Sequence, residues 1–348
     1  MRAAGFGFLI IAATLTSSIA AAITVPTVPI ANPGNPADVR YAGPSHPSGL
    51  GSVPYPFSIG TTETTNSQYV AFLNSVAKAD PERLYNSSMD SIHGGILRSG
   101  TPGNYSYSVK PSALGGSYSY ENKPVVFVTW ASTLRFANWM HNGQPIGPQN
   151  DTTTEDGAYS LHGTDSESSN LATIQRNPGA NWWIPNESEW YKAAYYDPAE
   201  EQYYDYPTGT NAIPNNNTPA TDTSNSANYY ADGYTTGDPA YAMTDAGAYL
   251  LTASPYGTRD QAGNVFEFVE RIFTGSHTAI RGGAYDQSTY SAMHASNWSA
   301  TFFGNISPVT GFRLATTAIP EPSALALALV GMSVLNPRRG TRRLRAGL

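Results

Sequence analysis

The chain has 348 residues, 40% hydrophobic and only 13% charged, with a formal net charge of −7 and no cysteine. Disulfides, thiolate metal ligands and thiol nucleophiles are therefore excluded, and the acidic balance lacks the basic footprint that nucleic-acid phosphates require. The length suits one large domain or two small ones, and its richness in Tyr, Gly, Asn, Ser and Thr suits a loop-rich extracellular protein rather than one of long helices.

Residues 1–22 carry Arg2, an apolar run from Phe6 to Thr14, and small residues up to Ala22. This is the pattern of a secretory leader with cleavage after Ala22. Residues 23–50 are rich in Pro and Gly, show no period, and read as a lead-in segment. A strand is expected over Val53–Gly60. Thr65 and Gln68 form a capping-box pair for a helix reaching about Lys78, with Tyr69, Phe72, Leu73 and Val76 at helical spacing on its buried face. Residues 80–122 read as loops; Tyr105, Tyr107, Tyr118 and Tyr120 alternate as on strand faces and are read as packing residues. Pro124–Trp130 is an apolar run expected as a strand. A helix over Ser132–Met140 should follow, with Thr129 as N-cap and Asn142-Gly143 as its stop.

Residues 147–170 are polar and read as a surface loop. Asn186 is placed to cap a helix running to Tyr196. Glu187 and Glu189 lie in its first turn, where the helix dipole favours acids, so both are read as structural. Residues 200–255 are rich in Asn, Thr, Tyr and Gly. From Tyr256 to Glu270 the chain crowds oxygen donors (Asp260, Asn264, Glu267) onto a turn with Gly257 and Gly263, a combination suited to a hard cation such as calcium. Val265–Val269 then reads as a short strand with Phe266 and Phe268 on one face and Glu267 on the other.

Several of these stretches carry a family resemblance, in order along the chain. Asp260-Gln261-Ala262-Gly263-Asn264-Val265-Phe266-Glu267-Phe268 resembles the Gly-Asn-x-Trp-Glu-Trp signature of formylglycine-generating enzyme (sulfatase-modifying factor) domains, with Phe at both Trp positions. Glu63, Thr65, Asn66, Tyr69 and Phe72 fit the family's Glu-x-Thr-Asn-x-x-Tyr-x-x-Phe opening. Pro124 to Trp130, then a helix, is again its pattern. Trp183-Ile184-Pro185-Asn186-Glu187-Ser188-Glu189-Trp190 stands where the family has Arg-Leu-Pro-Thr-Glu-x-Glu-Trp. Ile280-Arg281-Gly282-Gly283-Ala284-Tyr285 and Gly311-Phe312-Arg313-Leu314 resemble its closing motifs. The resemblance spans about residues 50–316 and implies an α+β fold: the sulfatase-modifying-factor variant of the C-type lectin fold, with short antiparallel sheets and a few helices. It also implies calcium at two sites. One would use Asp260, the carbonyls of Gly263 and Val265, and Glu267. The other would use Asn228 and the carbonyl of Tyr229, with Asp232 and Asp238 both open as partners.

The resemblance further implies that two cysteines should follow Gly282-Gly283, binding copper(I) and attacking a substrate cysteine. Those positions fall on Gln287 and Ala292, which form no thiolate, so copper is not expected. A related enzyme group holds iron through histidines on a separate helical domain. His46, His93, His141, His162, His277 and His294 show no such paired spacing. His294 reads as a hydrogen-bonding surface group. Tyr285, Gln287, Tyr290, His294, Asn297 and Trp298 instead combine aromatic faces with amides, the chemistry of a recognition surface; the segment also resembles the variable region of retroelement-diversified binding proteins. The leading expectation is a non-catalytic module that binds a polysaccharide or a surface protein. The alternatives are a sulfatase-maturing oxidase and another enzyme reusing the same groove.

At the C-terminus, Pro320-Glu321-Pro322, an apolar run over Ser323–Leu335 and five arginines resemble a PEP-CTERM sorting signal (residues 318–348). Without Arg2, Glu321 and those arginines, 13 basic and 25 acidic residues remain. The resemblance implies a Gram-negative-type bacterium, transient contact with the inner membrane, processing by a sortase-like protease, and an outer-surface or matrix destination.

Overall fold

The computed structural model describes residues 22–44, 46 and 48–317. The expected leader and sorting signal lie outside these residues, apart from Ala22. No helix among the described residues is long and apolar enough to cross a membrane.

The domain is α+β, with three α-helices and short, mostly antiparallel sheets. One sheet has the order β1-β2-β12-β5, from Thr27–Ile30, Phe57–Gly60, Ala315–Thr317 and Trp182–Trp183. It joins the two ends of the domain, since Ile59 lies opposite both Val28 and Ala315. The expected lead-in is thus part of the fold: β1 closes this sheet, and Ile30 is fully buried. Its lack of period follows from a strand of only four residues that follows Pro26 and contains Pro29.

The second sheet has the order β10-β9-β8-β11, from Ser299–Phe302, His277–Arg281, Phe266–Thr274 and Thr310–Gly311. Its β11–β8 pair is parallel. Strand β8 begins at the expected place. Glu267 and Phe268 are both buried, so the strand is covered on both faces. Two further strand pairs, β3–β4 (Ile96–Ser99, Ser106–Val109) and β6–β7 (Tyr196–Asp197, Gln202–Tyr203), brace the loops. Tyr107 packs inward from β4, whereas Tyr118 and Tyr120 are buried from a loop.

Helix α1 (Asn66–Val76) has its full capping box: Thr65 accepts from Gln68 N–H, and the Gln68 side chain accepts from Thr65 N–H. Its buried Tyr69, Phe72, Leu73 and Val76 are those expected. Helix α3 (Glu187–Tyr195) is capped the same way by Asn186 and Glu189. Helix α2 (Trp130–His141) is capped by Thr129, and Trp130 belongs to it. The strand expected over 124–130 is not formed. Phe127 is in the left-handed region (φ 61°), which breaks any ladder. The N–H groups of Val125 and Phe127 are instead satisfied by the carbonyls of Thr64 and Ser307. The main core gathers Tyr69, Phe72, Phe136, Trp139 and Phe312, with Phe136 5.3 Å from Phe312 edge to face.

Candidate functional site

Strand β8 carries Glu267 into the interior, where it accepts from Arg313 Nε and Nη2, both at 2.6 Å, and from Trp190 Nε1 at 2.7 Å. Both members of the ion pair are fully buried. Arg313 also donates to the carbonyls of Gly60 and Arg259, each at 2.9 Å. Asp260 accepts from Gly247 N–H. Burial pushes Asp260 up to about 6, and the charge of Glu267 adds to the shift against the Gly247 N–H and Arg313. Glu63 is buried beside them, and burial, then Asp260 and Glu267, raise its pKa well above the carboxylate range. Its Oε1 accepts from Asn264 Nδ2 at 3.1 Å, whereas its Oε2 has no partner among the described residues.

Asn264 links this cluster to Asn228. Its Oδ1 accepts from Asn228 Nδ2 at 3.0 Å and from Thr244 N–H at 3.1 Å. Asn228 Oδ1 is buried and also lacks a partner among the described residues. The turn that brings these groups together runs left-handed at Asp260, Gly263 and Asn264. Gly263 lies against Asn228 so closely that a Cβ there would sit 2.2 Å from the Asn228 carbonyl oxygen. The two cation sites expected from the sequence therefore share a wall, since Asn228 and Gly263 form a bridge.

Three buried carboxylates surround one buried guanidinium here, and two buried oxygens lack a donor. An oxygen-only donor set with surplus negative charge suits a hard cation. The fit has a limit, because Glu267 is already committed to Arg313 and Trp190. No group of three or more His, Asp or Glu side chains among the described residues is arranged to hold a metal. A cation at this place would depend on Asn228 and on carbonyls such as those of Gly263, Val265 and Tyr229. The Tyr229 carbonyl accepts from the Thr235 hydroxyl at 3.4 Å. Of the two open partners, Asp232 is exposed and Asp238 caps a short 3-10 turn through Ala240 N–H at 2.8 Å. Glu63, which sequence pattern placed only in an opening motif, is central. The signal for it was an acid between an apolar strand and a helix cap.

The expected recognition residues differ in exposure and in the partners they hold. Tyr285 is buried, with its hydroxyl 3.3 Å from the Pro308 carbonyl. Gln287 is half-buried and Tyr290 is 44% exposed. His294 lies between the rings of Tyr41 and Tyr206, with centroids at 5.2 and 5.3 Å, and bonds the Ser296 hydroxyl at 2.9 Å. Its nearest acid, Asp205, is 3.9 Å away, beyond hydrogen-bond reach. Asn297 gives its carbonyl to Arg281 at 2.8 Å. Trp298 packs against Phe273 and under the Arg271 guanidinium, 4.2 Å from the ring centre.

One histidine–acid pair does come within reach in this region: His46 Nε2 lies 2.8 Å from Glu187. Glu187 also pairs with Arg281 at 2.8 Å and Arg271 at 2.9 Å, so it acts as a structural hub. Burial opposes its ionisation, but the His46 hydrogen bond and the charges of Arg281 and Arg271 outweigh burial and bring its pKa down to about 2. Glu189 is structural too. Arg176 grips it at 2.9 and 3.0 Å while lying 4.7 Å above the Trp183 ring. Trp183 stands where the resembled motif has Arg, and Arg176, from an earlier loop, supplies the guanidinium.

A fold of this topology, with a buried acid–arginine cluster under a loop-built face, defines the class. The chain belongs to the sulfatase-modifying factor enzyme 1-like domain family, whose model matches residues 24–318. Solved structures with a similar fold include CarF, at 19% identity over 84% of this chain and 98% of that one, with a TM-score of 0.46. Treponema denticola variable protein 1 is 17% identical over 84% and 94% of the two chains, with a TM-score of 0.49. PvdO from Pseudomonas aeruginosa is 15% identical over 84% and 92%, with a TM-score of 0.45. No curated protein is similar enough to add to these.

Proposed function

We propose that this protein is an exported, non-catalytic sulfatase-modifying-factor-like module that binds a polysaccharide or a surface protein outside the cell. The observation that carries the reading is the complete absence of cysteine. No side chain can form the thiolate that sulfur exchange and copper(I) binding both use. Gln287 and Ala292 occupy the positions where the resembled motif would place thiols. Calcium is proposed as a structural ion at the wall shared by Asn228 and Gly263, supplying the positive charge that Glu63 and Asp260 lack. The proposed route is leader cleavage, transient retention at the inner membrane, and release to the outer surface or matrix by a sortase-like protease.

The test is a binding screen of residues 23–317 against glycans and cell-surface extracts, with and without chelator, run beside an assay for formylglycine on a sulfatase peptide. Capture without conversion is expected. Conversion of the peptide without capture would reverse the reading.

A further inference from the structure

A cleft of about 340 Å³, to whose lining the 285–298 segment contributes no residue, lies between the loop carrying Leu114 to Lys123 and the loop carrying Thr236 to Ala248. That volume is at the lower end of small-ligand sites. At its base Lys123, 6% exposed, places Nζ 2.5 Å from Asp245 Oδ1 and 4.3 Å from the centre of the Tyr118 ring. Tyr241 meets Tyr118 edge to face, with ring centroids 4.9 Å apart. Asp245 keeps 41% of its side chain open to solvent, and Asp238 lines the same cleft.

This chemistry selects among ligand classes. Two carboxylates against one already paired ammonium repel an anion. A hard cation would find only Asp238 and the already paired Asp245, with no third acid or histidine beside them among the described residues. What remains favourable is a neutral molecule with an apolar face and several hydroxyls. A tyrosine wall receives the face, and carboxylate oxygens with an ammonium receive the hydroxyls. Leu114 adds an independent sign. It projects at the rim, 55% exposed, with φ +50°. A leucine in the left-handed region is strained, and such strain persists at ligand clamps.

We propose that this cleft binds a neutral saccharide unit, with its ring against Tyr241 and Leu114 and its hydroxyls on Asp245, Asp238 and Lys123. For its ligand class the inference rests on the ligand-binding reading, but it places the contact outside the 285–298 segment.

The test applies residues 23–317 to an array of neutral, uronic-acid and sulfated oligosaccharides, with the Tyr241→Ala, Leu114→Gly and Tyr290→Ala variants in parallel. Capture of neutral glycans is expected, weakened at least tenfold by Tyr241→Ala and several-fold by Leu114→Gly. Leu114→Gly relieves the strained backbone, so it should melt no lower than the parent; weaker binding in that variant cannot come from unfolding. Tyr290→Ala should bind as the parent does. Capture of acidic glycans only, capture lost with Tyr290→Ala but kept with Tyr241→Ala, or no glycan capture at all would each overturn the proposal. The ligand-binding reading survives the second result, and it survives the third if a surface protein is captured from the extract.

Discussion

Arg313→Met is the sharpest probe of the buried cluster. Methionine fills much of the arginine stem's volume but removes donors to both Glu267 oxygens and to the carbonyls of Gly60, Thr61 and Arg259. Glu267 keeps only the Trp190 indole N–H, in a site that also holds Asp260 and Glu63. Removing one partner of a buried ion pair costs about 3–5 kcal/mol, because the other charge is left uncompensated. Against a typical domain stability of about 5–15 kcal/mol, such a loss moves a urea midpoint far or unfolds the protein. Adding Glu267→Gln should recover part of it, since the stranded charge is then gone. Urea unfolding followed by tryptophan fluorescence and far-ultraviolet circular dichroism would measure both variants. A single-variant loss under about 1 kcal/mol, or a double variant no better than the single, would refute the claim that the cluster is held by this pair.

Other outcomes follow from the same geometry. Glu187 has a folded pKa of about 2 against an ordinary 4.5, so it contributes stability at neutral pH that is lost as pH falls through that window. The contribution is about 3 kcal/mol by linkage, and Glu187→Gln should flatten the acid limb of the stability–pH curve. Gly263→Ala should destabilise by more than about 1 kcal/mol, because φ is positive and the new Cβ would strike the Asn228 carbonyl; thermal melting reads it. Calcium at a hundredfold excess over its Kd should add about 2.7 kcal/mol. Chelator should remove that gain in the parent and change little in an Asn228→Ala, Asp260→Ala variant.

The frame was legible in the sequence wherever a local rule and a burial pattern agreed. Thr65 with Gln68, and Asn186 with Glu189, are reciprocal caps written within four residues of each other. The placing of Asp260, Gly263 and Asn264 on one turn, with Glu267 on the strand that follows it, could also be read. Long-range partners were not legible. The pairing of Glu267 with Arg313, the reach of Arg176 to Glu189, and the joining of Asn228 to Asn264 span gaps that no periodicity records. Phe127 misled the strand reading because apolar β-branched neighbours signal a strand whether or not a ladder is available. Within 285–298 the spacing did not show which side chains turn inward: Tyr285 is buried, whereas Tyr290, opening the short 3-10 helix Tyr290–Met293, stays 44% exposed.

The frame does not depend on the side chains at the two thiol-less positions. The segment that carries them is fixed by its backbone: Tyr285 N–H donates to Asn264 O at 3.0 Å, Gln287 O accepts from Tyr230 N–H at 3.0 Å, and Ala295 N–H donates to Asp205 O at 2.9 Å. The Gln287 amide reaches only its neighbour Asp286. Ala292 is half-buried and packs beside Gly283. The pair Gln287→Cys, Ala292→Cys should therefore leave reduced stability within about 0.5 kcal/mol of the parent, as for substitutions away from core, caps and buried networks. Urea unfolding under reducing conditions would measure it. A loss above about 2 kcal/mol would show that Gln287 and Ala292 hold the segment in place, and that scaffold and site are not separable as argued.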